Sequence, residues 1–240
     1  MEREPKIVRM LFNDDMARAI VQGRKTATRR PPRHSIRQST NFPGQWEASD
    51  NRDLWWNLST DQLLAKFAPC APGDILIGRE CWRVFGGVSD VRVDYRAGGD
   101  SSIISREVER VGGAVVHYLP DVSRLERSDG KWRPSSHMPD WAARIRRRVV
   151  SVTVERVQDI TEEDAVREGI RRWTKDGSVY KYGHIEPGDI GCTPWVDMAR
   201  TGRDAFARLW DSIYAAEGLG WDVNPWVWRI EFASENEPAA

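Results

Sequence analysis

The chain has 240 residues, enough for one large domain, and its 36 Lys and Arg balance 36 Asp and Glu. Zero formal charge excludes a whole-surface grip on a polyanion, so any basic site must be local. No apolar run approaches the roughly 20 residues of a bilayer span, and "MEREPKIVRM" lacks a signal-peptide core.

"KIVRMLF" (6–12) reads as a strand. Asn13 or Asp14 caps a short helix, "DMARAIVQ", with Met16, Ala19 and Ile20 as its apolar face and Gly23 past its end. "RKTATRR" then runs as a short extended edge, stopped by Pro31 and Pro32. Residues 31–57 lack periodicity and read as loop; the adjacent Trp55 and Trp56 cannot both be buried by one regular strand. "STDQLLAKF" (59–67) is a capped helix, and a Pro-Gly-Asp turn leads into a strand from Asp74 to about Gly78. Residues 83–140 offer two strands, "DVRVDY" and "AVVHYL".

The clearest strand lies in "RIRRRVVSVTVERVQDI" (144–160), with Val150, Val152 and Val154 expected on one face. "TEEDAVREG" is a short helix with Thr161 as N-cap and Gly169 just past its end. Residues 171–199 read as loop. "GRDAFARLWDSIYA" is an amphipathic helix through Phe206, Leu209, Trp210 and Ile213. A last strand, "PWVWRIEF", places Trp226 and Trp228 on one face, and "ASENEPAA" frays. Short strands, few helices and no βαβ alternation indicate an α+β protein, a small mixed β-barrel with peripheral helices. It is one domain over 1–232, with long insertions at about 31–57, 83–130 and 171–199 and a flexible tail at 233–240.

"VQGRKTATRR" (21–30) is the first candidate site. Between Asp15 and Glu47 no carboxylate occurs, against Arg18, Arg24, Lys25, Arg29, Arg30, Arg33 and Arg37. A solvated basic face is the plain alternative. Lys25 and Thr28 sit three apart beside a glycine turn, where a hydroxyl nucleophile can meet a desolvated amine base. Glu162, Glu163 and Asp164 favour a helix N-terminus and read as solvated dressing. Glu168 instead opposes the macrodipole in the last turn, and a residue that breaks a local rule is a functional candidate. "KWRPSSHMPDWAARIRRR" (131–148) interleaves Trp132, Arg133, His137, Trp141 and Arg144, as nucleic-acid contacts do, or forms a loop pinned by prolines and tryptophans. Most of the 12 tryptophans are expected to pack rather than stack on bases. Cys70, Cys81 and Cys192 fit neither a disulfide framework nor a CxxC metal site, and no phosphate-loop, metalloprotease or nucleophile-elbow motif occurs. No cofactor or metal is expected, and the cysteine usage suits a reducing cytoplasm.

In order, "GRKTATRR", "APGDILIGRECW", "VQDITEEDAVREGI", "FARLWDSI" and "NPWVWRIEF" resemble the ASCH domain of the PUA-like superfamily. With "WRPSSHMPDWAARI" the chain looks like the longer ASCH-type proteins of bacteriophages and prophages, which implies a bacterial host cytoplasm. The resemblance implies a PUA-like barrel with a cleft for RNA or modified bases. Some small bacterial ASCH proteins are amidohydrolases that deacylate the exocyclic amine of acylated cytidine. Their Lys-x-x-Thr pair and late-helix Glu match Lys25, Thr28 and Glu168. Arg24, Thr26, Arg29, Arg30, Trp82, Trp132, Arg133 and His137 are the expected substrate contacts. Two readings stay open: an amidohydrolase of a nucleoside or small nucleobase substrate, and a non-catalytic module for RNA, DNA or a modified base. No membrane partner is expected, and the three insertions have no counterpart in the smallest members.

Overall fold

The computed structural model describes residues 3–49, 55–86, 90–99, 102–105, 107–111, 114–118, 130–185 and 194–235. The first half of the chain holds β1 (Ile7–Leu11), α1 (Asp14–Val21), β2 (Ala27–Arg30), β3 (Ile36–Gln38), β4 (Trp46–Ser49), β5 (Trp55–Leu58) and α2 (Thr60–Phe67). It continues with β6 (Ile75–Arg79), β7 (Trp82–Gly86), β8 (Asp90–Tyr95), β9 (Ser102–Ser105), β10 (Glu107–Val111) and β11 (Ala114–Tyr118). The second half holds β12 (Ile145–Arg156), α3 (Glu162–Arg167), β13 (Arg171–Thr174), β14 (Tyr180–Gly183), α4 (Gly202–Tyr214) and β15 (Trp226–Phe232). The protein is α+β, mostly strands with few helices. Among the described residues no helix is long and apolar enough to cross a membrane.

The centre is a five-stranded sheet in the order β1-β6-β12-β15-β2. Only β1 and β6 pair in parallel; β6–β12, β12–β15 and β15–β2 are antiparallel. The described pairings leave the sheet open between β1 and β2, so the expected barrel is not closed by a main-chain ladder. One face carries Val8, Met10, Leu76, Ile145, Trp228 and Ile230 into the largest core cluster, beneath Ile20 of α1 and Leu63 of α2. On the other face Val227 meets Phe206, Leu209 and Trp210 of α4, together with Ala165 and Ile170. Each fully buried Leu or Phe in that contact contributes about 1.5–3 kcal/mol. A third cluster joins Ile77 to Trp82, Val84, Tyr95 and Met138.

The helices start where the sequence places their caps. Asn13 accepts from the Met16 amide, Ser59 forms a capping box with Gln62, and Thr161 accepts from the Asp164 amide. Three expectations change. Residues 31–57 contain the antiparallel sheet β3-β4-β5, with Trp46 and Ala48 buried, rather than a loop. Residues 171–199 contain the hairpin β13–β14. Around the expected strands at β8 and β11 the chain adds β7, β9 and β10. These strands are short, so each offers too few alternations to stand out from loop. Val150 is also displaced: a register shift between Val149 and Ser151 buries Val149 and Val152 and leaves Val150 58% exposed. The tail beyond residue 235 lies outside the described residues.

Gly78 fixes the closest approach of β6 to β12. A Cβ there would lie 2.6 Å from Ile145 Cγ2, the residue paired with it. Gly78→Ala is expected to destabilise the fold by about 1–3 kcal/mol, read as a lower urea midpoint at unchanged slope. An unchanged midpoint would contradict this packing.

Candidate functional site

The turn after α1 sets the site. Gly23 adopts φ 71°, a left-handed conformation that closes the helix, and the Arg24 and Lys25 amides both donate to the Ala19 carbonyl. Buried Arg147 donates to the Ile20 carbonyl, placing a cation at the end of α1. The Thr26 amide donates to the Arg167 carbonyl at 2.8 Å, tying the start of β2 to the end of α3. Gly169, at φ 100°, lets this crossing pack closely: a Cβ would lie 3.2 Å from Ala19 Cβ and 3.5 Å from Lys25 Cβ.

Through this crossing the fully buried Lys25 reaches Glu168. Lys25 Nζ donates to Glu168 Oε2 at 2.5 Å and to the Glu168 carbonyl at 3.0 Å. Arg29 donates to the other carboxylate oxygen, Oε1, at 3.2 Å. It also donates to Glu155 Oε1 at 2.7 Å and to Asp164 Oδ2 at 3.1 Å, with its guanidinium 5.9 Å from the Phe206 ring centroid. Arg229 donates to Asp164 Oδ1 at 2.9 Å and also to Glu231, which accepts from Arg167 at 3.0 Å. Lys25, Arg29, Arg167 and Arg229 therefore face Glu155, Asp164, Glu168 and Glu231 in one network.

Burial sets the electrostatics. It lowers the Lys25 pKa below the ordinary lysine value against the pull of Glu168, and the Arg30 and Arg29 charges lower it further. Burial also opposes the Arg29 charge, but Glu168, Glu155 and Asp164 outweigh it and raise that pKa. The Glu155 carboxyl is pushed up by burial despite Arg29.

Strand register then separates Thr28 from the network. Thr28 pairs with Ile230, and Arg29 with Arg229. Successive side chains alternate, so Thr28 turns to the face of Ile230 and the apolar core, while Arg29 turns to the face beneath α3. Arg30 shares the Thr28 side. Its Nη2 donates to the Leu11 carbonyl of β1 at 2.7 Å and its Nη1 to the Tyr214 hydroxyl at 3.2 Å.

The remaining expected contacts scatter. Arg24 donates to Gln22 at 2.7 and 2.9 Å and to the Gly169 carbonyl at 3.4 Å. Arg29 is not a rim charge, because it is buried within the ion network. Trp82 is 2% exposed in the third cluster and cannot serve as an open stacking surface. Arg133 bridges to the Trp82 backbone, and its guanidinium lies over that ring at 5.4 Å. Trp132 and His137 are exposed, with Arg83 stacked on Trp132 at 4.6 Å. None of the four described clefts is lined by Trp82, Trp132, Arg133 or His137, nor by Lys25, Thr28 or Glu168.

Sequence reasoning missed Glu155, Asp164 and Arg229. The available signal was charge on strand faces that are otherwise packed: Arg229 and Glu231 alternate with the tryptophans of "PWVWRIEF", and Glu155 interrupts the valine run. Asp164 was masked by its place in the first helical turn, where an acid is ordinary. Compared with family models, curated proteins and solved structures, the chain matches none.

Arg29→Met removes the buried cation that Glu155, Asp164 and Glu168 share and leaves Glu155 without its ion-pair partner. It is expected to cost about 3–5 kcal/mol in denaturant unfolding, while the exposed Arg33→Met stays within roughly 0.5 kcal/mol. Equal small effects would mean that the network carries no stability.

Proposed function

We propose that the chain acts on a nucleoside or nucleobase substrate and hydrolyses the amide of an acylated cytidine-type base. The observation that carries the reading is the Lys25–Glu168 contact. It joins residues 143 apart in sequence at 2.5 Å and holds an amine away from water with a lowered pKa. Structural ion pairs perturb pKa values too, but a desolvated lysine beside a fixed carboxylate is what a general base requires.

In this reading the Thr28 hydroxyl attacks the amide carbonyl as neutral Lys25 accepts its proton, a step that requires Thr28 to be brought from the core face to the Lys25 amine. Lys25 returns that proton to the departing exocyclic amine, and water then releases the acyl group from Thr28. Glu168 fixes the Lys25 amine. Thr28 and Arg30 share a face, so substrate enters from the Arg30 side of β2. The reading keeps a PUA-like barrel as its architecture, with Arg30 bridging the open seam between β2 and β1.

A second reading has its own support. Thr28 turns away from the face that carries the Glu168 network, and both Glu168 oxygens are already engaged. This favours a non-catalytic module in which the ion network holds the fold and the Arg30 side binds RNA, DNA or a modified base.

The experiment is hydrolysis of acylated cytidine by the wild type, Lys25→Ala and Thr28→Val, with folding of each checked by urea unfolding. Thr28→Val keeps the shape and removes the hydroxyl. Turnover is expected to fall about 10³-fold or more in either variant. The rate is expected to rise with pH through an apparent pKa below the ordinary lysine value of 10.5, because the lowered pKa exposes the neutral amine at lower pH. A folded wild type without turnover would sink the hydrolase. Oligonucleotide binding that weakens steeply with salt would then select the second reading.

A further inference from the structure

The seam between β1 and β2 forms a cleft of about 650 Å³, within the range of roughly 300–1,000 Å³ usual for small-molecule sites. Its lining carries the cations Lys6, Arg9, Arg30, Arg33 and Lys66 together with His34, and no Asp or Glu. Only Arg9 has a carboxylate partner among the described residues: Asp140 accepts from it at 2.9 and 3.0 Å. An acid-free basic cleft in a chain of zero formal charge is a local concentration of positive potential, which accumulates anions.

Two nitrogens of this lining lack partners. Arg30 Nε and His34 Nδ1 are buried and make no hydrogen bond among the described residues. A buried donor without a partner costs about 1–3 kcal/mol, so a bound acceptor would relieve it. The rest of Arg30 is already fixed by the Leu11 carbonyl and the Tyr214 hydroxyl, which preorganises its free Nε edge. Arg33 and Lys66 extend from the exposed lip.

The wall also supplies flat apolar surface. Phe67 lines the cleft, with the His34 ring edge-on to it at 5.3 Å; Lys66 Nζ lies over the neighbouring Trp56 ring at 3.5 Å and 5.7 Å from the Phe67 centroid. Rings beside guanidinium and ammonium groups accept a base and its phosphate together, by stacking and charge-assisted hydrogen bonds.

We propose that this seam cleft binds a nucleoside monophosphate, its phosphate held by Arg30, Arg33, His34 and Lys66 and its base against Phe67. The proposal rests on the nucleoside reading for the base and on the cleft for the phosphate. It makes the phosphorylated form, rather than the free nucleoside, the preferred ligand. The Arg30 charge is also felt at Lys25, so the cleft and the Lys25–Glu168 pair are electrostatically linked.

The test is calorimetric binding of cytidine 5′-monophosphate, cytidine, inorganic phosphate and a 5′-phosphorylated oligonucleotide to the full chain, at two salt concentrations. The monophosphate is expected to bind roughly tenfold or more tighter than cytidine and than phosphate. Arg33→Gln and Lys66→Gln, both at exposed positions, are each expected to remove most of that advantage. Equal binding of monophosphate and cytidine overturns the proposal, as does an advantage that survives both substitutions. Phosphate binding as tight as the monophosphate removes the base from the site. An oligonucleotide that binds far more tightly, with a steep salt dependence, assigns the cleft to a strand instead. Binding is read without turnover. A wild type that binds the monophosphate but hydrolyses nothing retains this proposal and loses the hydrolase; hydrolysis without phosphate preference does the reverse.

Discussion

Glu168 accepts from Lys25 on one carboxylate oxygen and from Arg29 on the other. Around it the chain brings together the exit of α1, the edge strand β2 and the end of α3. Water is excluded, so each charge depends on its partners being in place: removing one leaves another buried and unpaired. The network spreads through Arg29 to Glu155 on β12 and through Asp164 to Arg229 on β15. One face of the central sheet thus combines this ion network with the apolar contact of Val227 and α4, while the opposite face is anchored by the apolar cluster around Leu76, Ile145 and Ile230.

That division follows from strand alternation. β2 is only four residues long, yet it serves both faces. Ala27 and Arg29 look towards α3; Thr28 and Arg30 look towards the apolar core and the seam. A slip of one residue in the β2–β15 pairing would exchange them, turning Arg29 into the apolar cluster and away from the carboxylates of Glu155, Asp164 and Glu168. The register is therefore specified by charge as much as by hydrophobicity. The left-handed glycines on either side, Gly23 and Gly169, permit the tight crossing that brings Lys25 against the end of α3.

The surface distributes cations in two ways. Arg29 and Arg229 are consumed by acids within the fold, whereas Arg30, Arg33 and Lys66 lie along a seam whose lining has none. Their neighbours in sequence are alike, and "TRRPPR" gives no sign of which arginine goes where. Burial decides: Arg29, which turns inward, is met by carboxylates, whereas Arg30, which turns to the cleft, meets only neutral oxygens of Leu11 and Tyr214.

Much of the scaffold was legible in the sequence. Caps at Asn13, Ser59 and Thr161 and glycines at 23 and 169 mark helix ends by local hydrogen bonding and backbone freedom, which do not depend on the rest of the chain. The 3.6-residue spacing of Phe206, Leu209 and Trp210 fixes the buried side of α4 for the same reason. Lys25 and Glu168 were legible as odd residues, a cation beside a tight turn and an acid at the wrong end of a helix. Their contact was not, because it depends on how the ends of α1 and α3 cross. The short strands β3 to β5 and the hairpin β13–β14 were hidden, since they gain their stability from partners and not from their own pattern. The sequence by itself determined the local starts, stops and amphipathic faces, whose energetics lie within a few turns of chain. Only the tertiary structure decided which charges pair, which face Thr28 takes and where the uncompensated cations gather, because strand register and close approach act between segments far apart in sequence.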